Sequence, residues 1–199
     1  RDGALSEKIS TVLRNILTKV PQPQNYLSAH ATLSPNETDW NVRFFVASYL
    51  ENLSLPFRQP TLFAYDPDTA TLIFDTKVPA PQAFSFVSSA QNVQTTYARA
   101  YALRVAAVLS SGILNNYPIS RVVINEFVNA HTEHPILSCD VNTTSLESLV
   151  SATQSPTLET DEFPQISCLR FSLTEDGWFE PTEPYKALTS PSEEHSLFY

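Results

Sequence analysis

Between residues 62 and 141 the chain reads strand, turn, strand, long apolar helix, strand, turn, strand, and no other feature narrows its folding options as far. The run Leu62-Phe-Ala-Tyr-Asp-Pro-Asp-Thr-Ala-Thr-Leu-Ile-Phe-Asp-Thr-Lys-Val78 sets two apolar stretches of strand length about an Asp- and Pro-rich turn. Alternation places Leu72, Phe74, Thr76 and Val78 on one face and Ile73, Asp75 and Lys77 on the other. One face is expected in the core and the other partly wet. Gln91 to Leu114 then reads as one helix, with Val93, Tyr97, Tyr101, Leu103, Val105, Val108 and Leu109 around most of its circumference and Arg99 and Arg104 as its only charges. A helix apolar on all sides is expected to be central and covered by other elements. Asn115-Asn-Tyr-Pro118 ends it, and Arg121 to Val128 with Ile136 to Val141 form the second hairpin.

The flanks extend this core. Leu5, Ile9, Val12, Leu13, Ile16, Leu17 and Val20 repeat at three- and four-residue steps, predicting an amphipathic helix over 4–20. Tyr26 to Leu33 reads as a short strand or irregular connection. Ser34-Pro-Asn-Glu-Thr-Asp supplies cap chemistry for a helix from Trp40 to Leu53, with the β-rich Val42 to Val46 as an alternative strand. Thr144 is expected to cap a short helix running to about Ala152. Residues 153–164 are polar, acidic and Pro-bounded, as a linker is, and 165–173 is strand-like. Beyond Asp176-Gly177 an extended tail is expected, with Trp178, Phe179 and Tyr185 among its docking points. The reading is α+β: two antiparallel β-hairpins forming a sheet packed on a long central helix, with additional N-terminal helices. Its division is a core over 1–152 and an acidic C-terminal extension over 153–199 with one added strand at 165–173.

Charge bears on partners. Residues 153–199 hold nine acidic side chains against Arg170 and Lys186, whereas the other 152 residues carry a net charge of only −2. An acidic surface repels phosphate backbones, and no Lys/Arg stripe with interleaved aromatics occurs, so nucleic acid is disfavoured as a partner for this chain alone. With three glycines, neither a dinucleotide nor a phosphate-binding glycine loop can be written, and the G-x-S-x-G hydrolase elbow is absent. No run approaches the roughly 18 apolar residues of a membrane span, and no signal-peptide pattern opens the chain. Cys139 and Cys168 are too few for a disulfide framework and read as buried free thiols, pointing to a reducing, cytoplasmic setting. A start at Arg1 and the lack of Met lead us to expect a piece of a longer chain.

Three constellations carry candidate chemistry. Pro67-Asp68 followed by Asp75-Thr-Lys77 matches the P-D…D-x-K pattern of metal-dependent nucleases, in which two carboxylates hold Mg²⁺ and the lysine stabilises developing charge. Asp75 and Lys77 share a strand face as required, but Asp68 sits at the hairpin tip, where turn chemistry accounts for it. Glu7, Glu51 or Glu126 would have to supply a further carboxylate. His131-Thr-Glu-His134, near Cys139, Glu126 and Asp140, offers zinc-compatible donors without helical H-E-x-x-H spacing and reads as a polar hairpin loop. A nucleophilic reading would join Cys139 or Cys168 to His30, His131, His134 or His195, with no protease signature around either thiol. The Trp40, Phe44, Phe45 and Tyr49 cluster reads as packing. No cofactor, metal or catalytic residue is expected outside the alternative nuclease pair Asp75 and Lys77.

Tyr65 to Leu72 spells Y-x-P-x-T-x-x-L, and Pro79, Ala102-Leu-Arg104 and Ile136-Leu-Ser138 follow it in order. This set, over about residues 62–141, resembles an uncharacterised bacterial domain family of unknown function. The resemblance implies placement in larger proteins associated with defence or restriction-like systems, and it hands over no catalytic residue. The resulting expectation is a non-catalytic interaction or accessory domain of a larger bacterial protein, with acidic and aromatic tail elements facing a protein partner or neighbouring domain. The alternative is a divergent metal-dependent nuclease using Asp75 and Lys77.

Overall fold

The computed structural model describes residues 35–53, 55–128, 133–153 and 166–188. The helix expected over 4–20, the Tyr26–Leu33 segment, most of the 153–164 linker and the chain beyond 188 lie outside them. The fold is α+β. In chain order it comprises α1 (Pro35–Asn52), β1 (Thr61–Asp66), β2 (Thr71–Lys77), a 3₁₀ turn (Pro81–Phe84), α2 (Gln91–Leu114), β3 (Arg121–Phe127), β4 (Leu137–Asn142), α3 (Thr143–Thr153), β5 (Leu169–Arg170), β6 (Ser172–Leu173) and β7 (Phe179–Glu180). Strands β1 to β5 form one sheet in sequence order, and β6 pairs with β7. Both hairpins are antiparallel, but β2 and β3 join them in parallel, so the sheet is mixed. A parallel neighbour requires a crossover, and α2 is that crossover.

Helix α2 packs on the sheet face carrying Leu72, Phe74, Val122, Ile124, Cys139 and Val141. Small residues let it approach closely: Ala98, Ala102, Ala106 and Ala107 are wholly buried. Burying each large aliphatic side chain of this layer contributes about 1.5–3 kcal/mol. Arg99 and Arg104 are buried with it, donating to the Gly177 carbonyl at 2.6 Å and the Thr153 carbonyl at 3.0 Å. Gly177 sits at φ +74° in the turn joining β6 to β7, a backbone region that favours glycine, and a Cβ there would stand 3.0 Å from Arg99 Nη1.

Three local expectations need correction and one is refined. Helix α1 begins at Pro35, so the Pro-Asn-Glu-Thr-Asp run forms its first turn, where the missing proline N–H costs nothing. Asn142, not Thr144, caps α3: its Oδ1 accepts from the backbone N–H groups of Thr144 and Ser145 at 3.0 and 2.9 Å. The sheet face expected to be partly wet is so at Asp75 and Lys77, which are half-buried, whereas Ile73 and Val123 in its middle are buried. Finally, 165–173 is not one strand. Only Leu169–Arg170 joins the sheet, and the chain then turns away so that Ser172–Leu173 pairs with Phe179–Glu180.

Among the described residues no helix is long and apolar enough to cross a membrane.

Candidate functional site

The register sets Asp75, Asn125, Ser138 and Arg170 side by side across β2, β3, β4 and β5, on the face turned away from α2. Asn125 Nδ2 donates to Asp75 Oδ1 at 2.8 Å and to the Lys186 carbonyl at 3.0 Å. Its Oδ1 accepts from Ser138 Oγ at 2.8 Å, and Ser138 Oγ accepts from the Tyr185 N–H at 3.0 Å. Arg170 donates to the carbonyls of Glu183 and Pro184 and lies 4.1 Å over the Tyr185 ring. The Thr182 N–H reaches the Pro135 carbonyl, and Lys186 Nζ pairs with Asp66 at 3.2 Å. This polar row holds the 182–186 segment across the sheet. Burial pushes the Asp75 carboxyl above its usual range, and donation from Asn125 opposes that shift in part.

The row makes a measurable claim. Ser138→Ala leaves Asn125 Oδ1 and the Tyr185 N–H without their shared hydroxyl, a loss of about 1–3 kcal/mol. Hydrogen exchange at Tyr185 is expected to accelerate while α2 amides keep their protection; unchanged exchange at Tyr185 would contradict this account of the strap.

The nuclease pattern separates in space. Asp68 is exposed in the β1–β2 turn, where its N–H donates to Asp66 Oδ1 while Thr69 Oγ1 donates to Asp66 Oδ2. Lys77 shares the outer sheet face with Asp75. Glu126 is in register with Thr76 and faces α2, on the side opposite Asp75. It is wholly buried, and neither carboxylate oxygen has a hydrogen-bond partner among the described residues. Burial therefore drives its pKa well above the ordinary carboxyl range. Glu51 is exposed on α1, and Glu7 lies outside the described residues. Among the described residues no group of three or more His, Cys, Asp or Glu side chains is placed to hold a metal ion.

The remaining candidates are dispersed. His134 is exposed, with Nδ1 3.4 Å from Glu183 Oε1. His30, His131 and His195 lie outside the described residues. Cys139 and Cys168 are buried and free, and burial is the first cause that pushes both thiols up, away from the reactive thiolate. Asp140 takes a bidentate pair from Arg121, both contacts at 2.6 Å. Among the described residues, the tail aromatics expected to face a partner make contacts within the chain. Phe179 is buried against Phe171 and Trp178, and Tyr185 lies under Arg170.

Two features depart from the sequence reading. One, without a counterpart there, is a cavity of about 280 Å³ between the C-terminal half of α1, residues 55–59 and β1, reaching Leu109 of α2. The other corrects the reading of Trp40, Phe44, Phe45 and Tyr49 as packing: Tyr49 is buried, but Trp40 and Phe44 form an exposed aromatic face on α1. Trp40 and Phe44 stack at 5.4 Å and 10° while remaining 63% and 53% exposed. The helical spacing of these residues was visible, but not which side of α1 would face away from the sheet. A comparison with protein-family models finds no match, and no curated protein or solved structure matches this chain.

Proposed function

We propose that this chain is a non-catalytic interaction or accessory domain of a larger bacterial protein, working in the cytoplasm. In this reading the two hairpins and the long helix between them are a scaffold, and the partner is a protein or a neighbouring domain of the parent chain. The observation that carries it is the Trp40–Phe44 stack. Two large aromatics held parallel on a helix surface offer apolar area at little further entropic cost, the composition favoured where interfaces concentrate their affinity. The engagement of Asp75, Asn125, Ser138 and Arg170 in holding the tail supports the same reading, since those groups already have a structural task.

The test has two arms. A purified partner is expected to lose about tenfold or more in affinity for Trp40→Ser/Phe44→Ser, measured by calorimetry, with Asp75→Asn binding as the unaltered chain does. The nuclease alternative is tested with Mn²⁺ and single- and double-stranded DNA. Mn²⁺-dependent cleavage that disappears in Asp75→Asn and Lys77→Ala would overturn the non-catalytic reading.

A further inference from the structure

We propose that the free edge of β1 and the Trp40–Phe44 stack beside it form one groove, which takes an extended segment of a protein partner as an added antiparallel strand of the sheet. The proposal rests on the interaction-domain reading and names what that partner presents. β1 is an edge strand, paired on one side with β2 and on the other with nothing among the described residues. The Lys77 N–H donates to the Pro60 carbonyl at 3.1 Å, so Pro60, and with it Leu62, Ala64 and Asp66, direct their backbone groups toward β2. Thr61, Phe63 and Tyr65 therefore direct theirs outward. Among the described residues none of those N–H groups has an acceptor, and of their carbonyls only that of Tyr65 is engaged, by Arg43 Nη2 at 3.1 Å. Exposed edges are ordinarily blunted by lysine, proline or a bulge, and β1 has none of these within it.

The stack lies on the same side as that edge. Tyr49, which shares a side of α1 with Val42 and Val46, reaches Val108 and Gly112 of α2. Residues step about 100° around a helix, so Arg43, Ala47 and Leu50 come next round, and these meet β1. Arg43 does so at Tyr65, and the other two across the cavity from Thr61 and Phe63. Trp40 and Phe44 follow on the side opposite α2, the direction in which the sheet ends at β1. The geometry also selects the occupant. A second copy paired through β1 would bring its own α1 alongside this one, and strands pair at about 4.8 Å whereas helices pack at about 8–10 Å. A lone extended segment brings no helix. In antiparallel pairing, its residues opposite Thr61, Phe63 and Tyr65 exchange hydrogen bonds with them and point their side chains to the same face, toward α1. The segment's chemistry follows: apolar side chains at alternate positions, against Trp40 and Phe44, with unsubstituted backbone N–H groups at those same positions.

The probe is the peptide acetyl-Thr-Val-Thr-Val-Thr-Val-Thr-Lys-Lys-amide, titrated into the ¹⁵N-labelled full chain and followed by NMR. Before it is added, the amides of Thr61, Phe63 and Tyr65 are expected to exchange with solvent faster than those of Leu62 and Ala64. The peptide is expected to shift and protect these outward amides with Kd of about 0.1–1 mM. Methylating its valine nitrogens removes the donors that face β1 and is expected to weaken binding about tenfold or more, whereas methylating the threonine nitrogens leaves it within about threefold. Trp40→Ser/Phe44→Ser is expected to weaken the unmethylated peptide about fivefold or more. Protection of the Phe63 amide before the peptide is added would overturn the proposal, because a second copy or the chain's own 26–33 segment would then hold the edge. Equal binding of the two methylated peptides, unchanged peptide affinity in Trp40→Ser/Phe44→Ser, or no saturable shift at the outward amides would each overturn it too. A purified partner that loses affinity for Trp40→Ser/Phe44→Ser, yet leaves these amides unshifted, sinks this proposal while the interaction-domain reading stands, so the two fail separately.

Discussion

Gly112→Ala is expected to destabilise this protein by about 2–4 kcal/mol, lowering Tm by roughly 6–12 °C in thermal unfolding followed by circular dichroism. Gly112 of α2 faces the Tyr49 ring of α1. A Cβ placed there would overlap the hydroxyl and Cζ of Tyr49 and stand 2.8 Å from its Cε2. Tyr49 has little room to yield: it is 4% exposed, and its hydroxyl donates to the Val108 carbonyl at 3.1 Å. Burial drives the Tyr49 pKa far up, so the phenol remains a donor at any working pH. The methyl group therefore expels the ring, and the loss combines overpacking with a broken buried hydrogen bond. Tyr49→Leu in the Gly112→Ala background is expected to recover part of the loss by vacating the contested space. If the two substitutions instead add as independent losses, the contact is not the cause.

Glu126→Met should act in the opposite direction, raising stability by about 1–3 kcal/mol at neutral pH, because it replaces a buried, unpartnered carboxyl with an apolar side chain of similar length. The sign of the pH dependence follows from the shift. The folded-state pKa of Glu126 lies well above its ordinary value of 4.5, so between the two the folded protein holds a proton that the unfolded chain releases. The ionisation part of the Glu126 penalty therefore vanishes below about pH 4.5, leaving only the cost of an unpaired neutral carboxyl. That part grows as pH rises, until the folded-state group itself ionises. The advantage of Glu126→Met is expected to shrink as pH falls toward 4.5, and Glu126→Gln is expected to remove this residue's pH slope. Both are read from urea unfolding midpoints across pH 4 to 8. A Glu126→Met variant less stable than the unaltered chain at pH 7 would show that the carboxyl has a partner. The charge of Glu126 also bears on Tyr101 and Cys139, whose own shifts are first of all products of burial.

Glu126 illustrates how far the sequence could be followed. It alternates with Val122 and Ile124, so period-2 reasoning applied to β3 would have put it on the core face. Considered only as a third carboxylate near Asp75, it looked available, whereas the pleat sends adjacent register positions to opposite sides. Asp75 shows the complementary limit. Its strand, its face and its spacing to Lys77 were readable, but its partner Asn125 lies 50 residues away, and the Lys186 carbonyl that shares Asn125 lies 61 residues beyond Asn125. The cavity beside α1 depends on a similar convergence, since its walls come from α1, β1 and Leu109 of α2.

By itself, the sequence determined the elements. The Asp-Pro-Asp-Thr turn, the two apolar strand pairs and the 91–114 helix are written in local periodicity and in the residues that interrupt it, because those preferences act within a few positions along the chain. The tertiary structure decided what those elements do to one another. It paired β2 with β3 in parallel, sent Arg99 to the Gly177 carbonyl 78 residues away, and laid the 182–186 segment over the outer face of the sheet. Alternation along a strand states that there are two faces, but which face is covered, and by what, depends on surfaces contributed by residues distant in sequence, and on that depends whether a carboxyl or an amide ends up solvated, paired or alone.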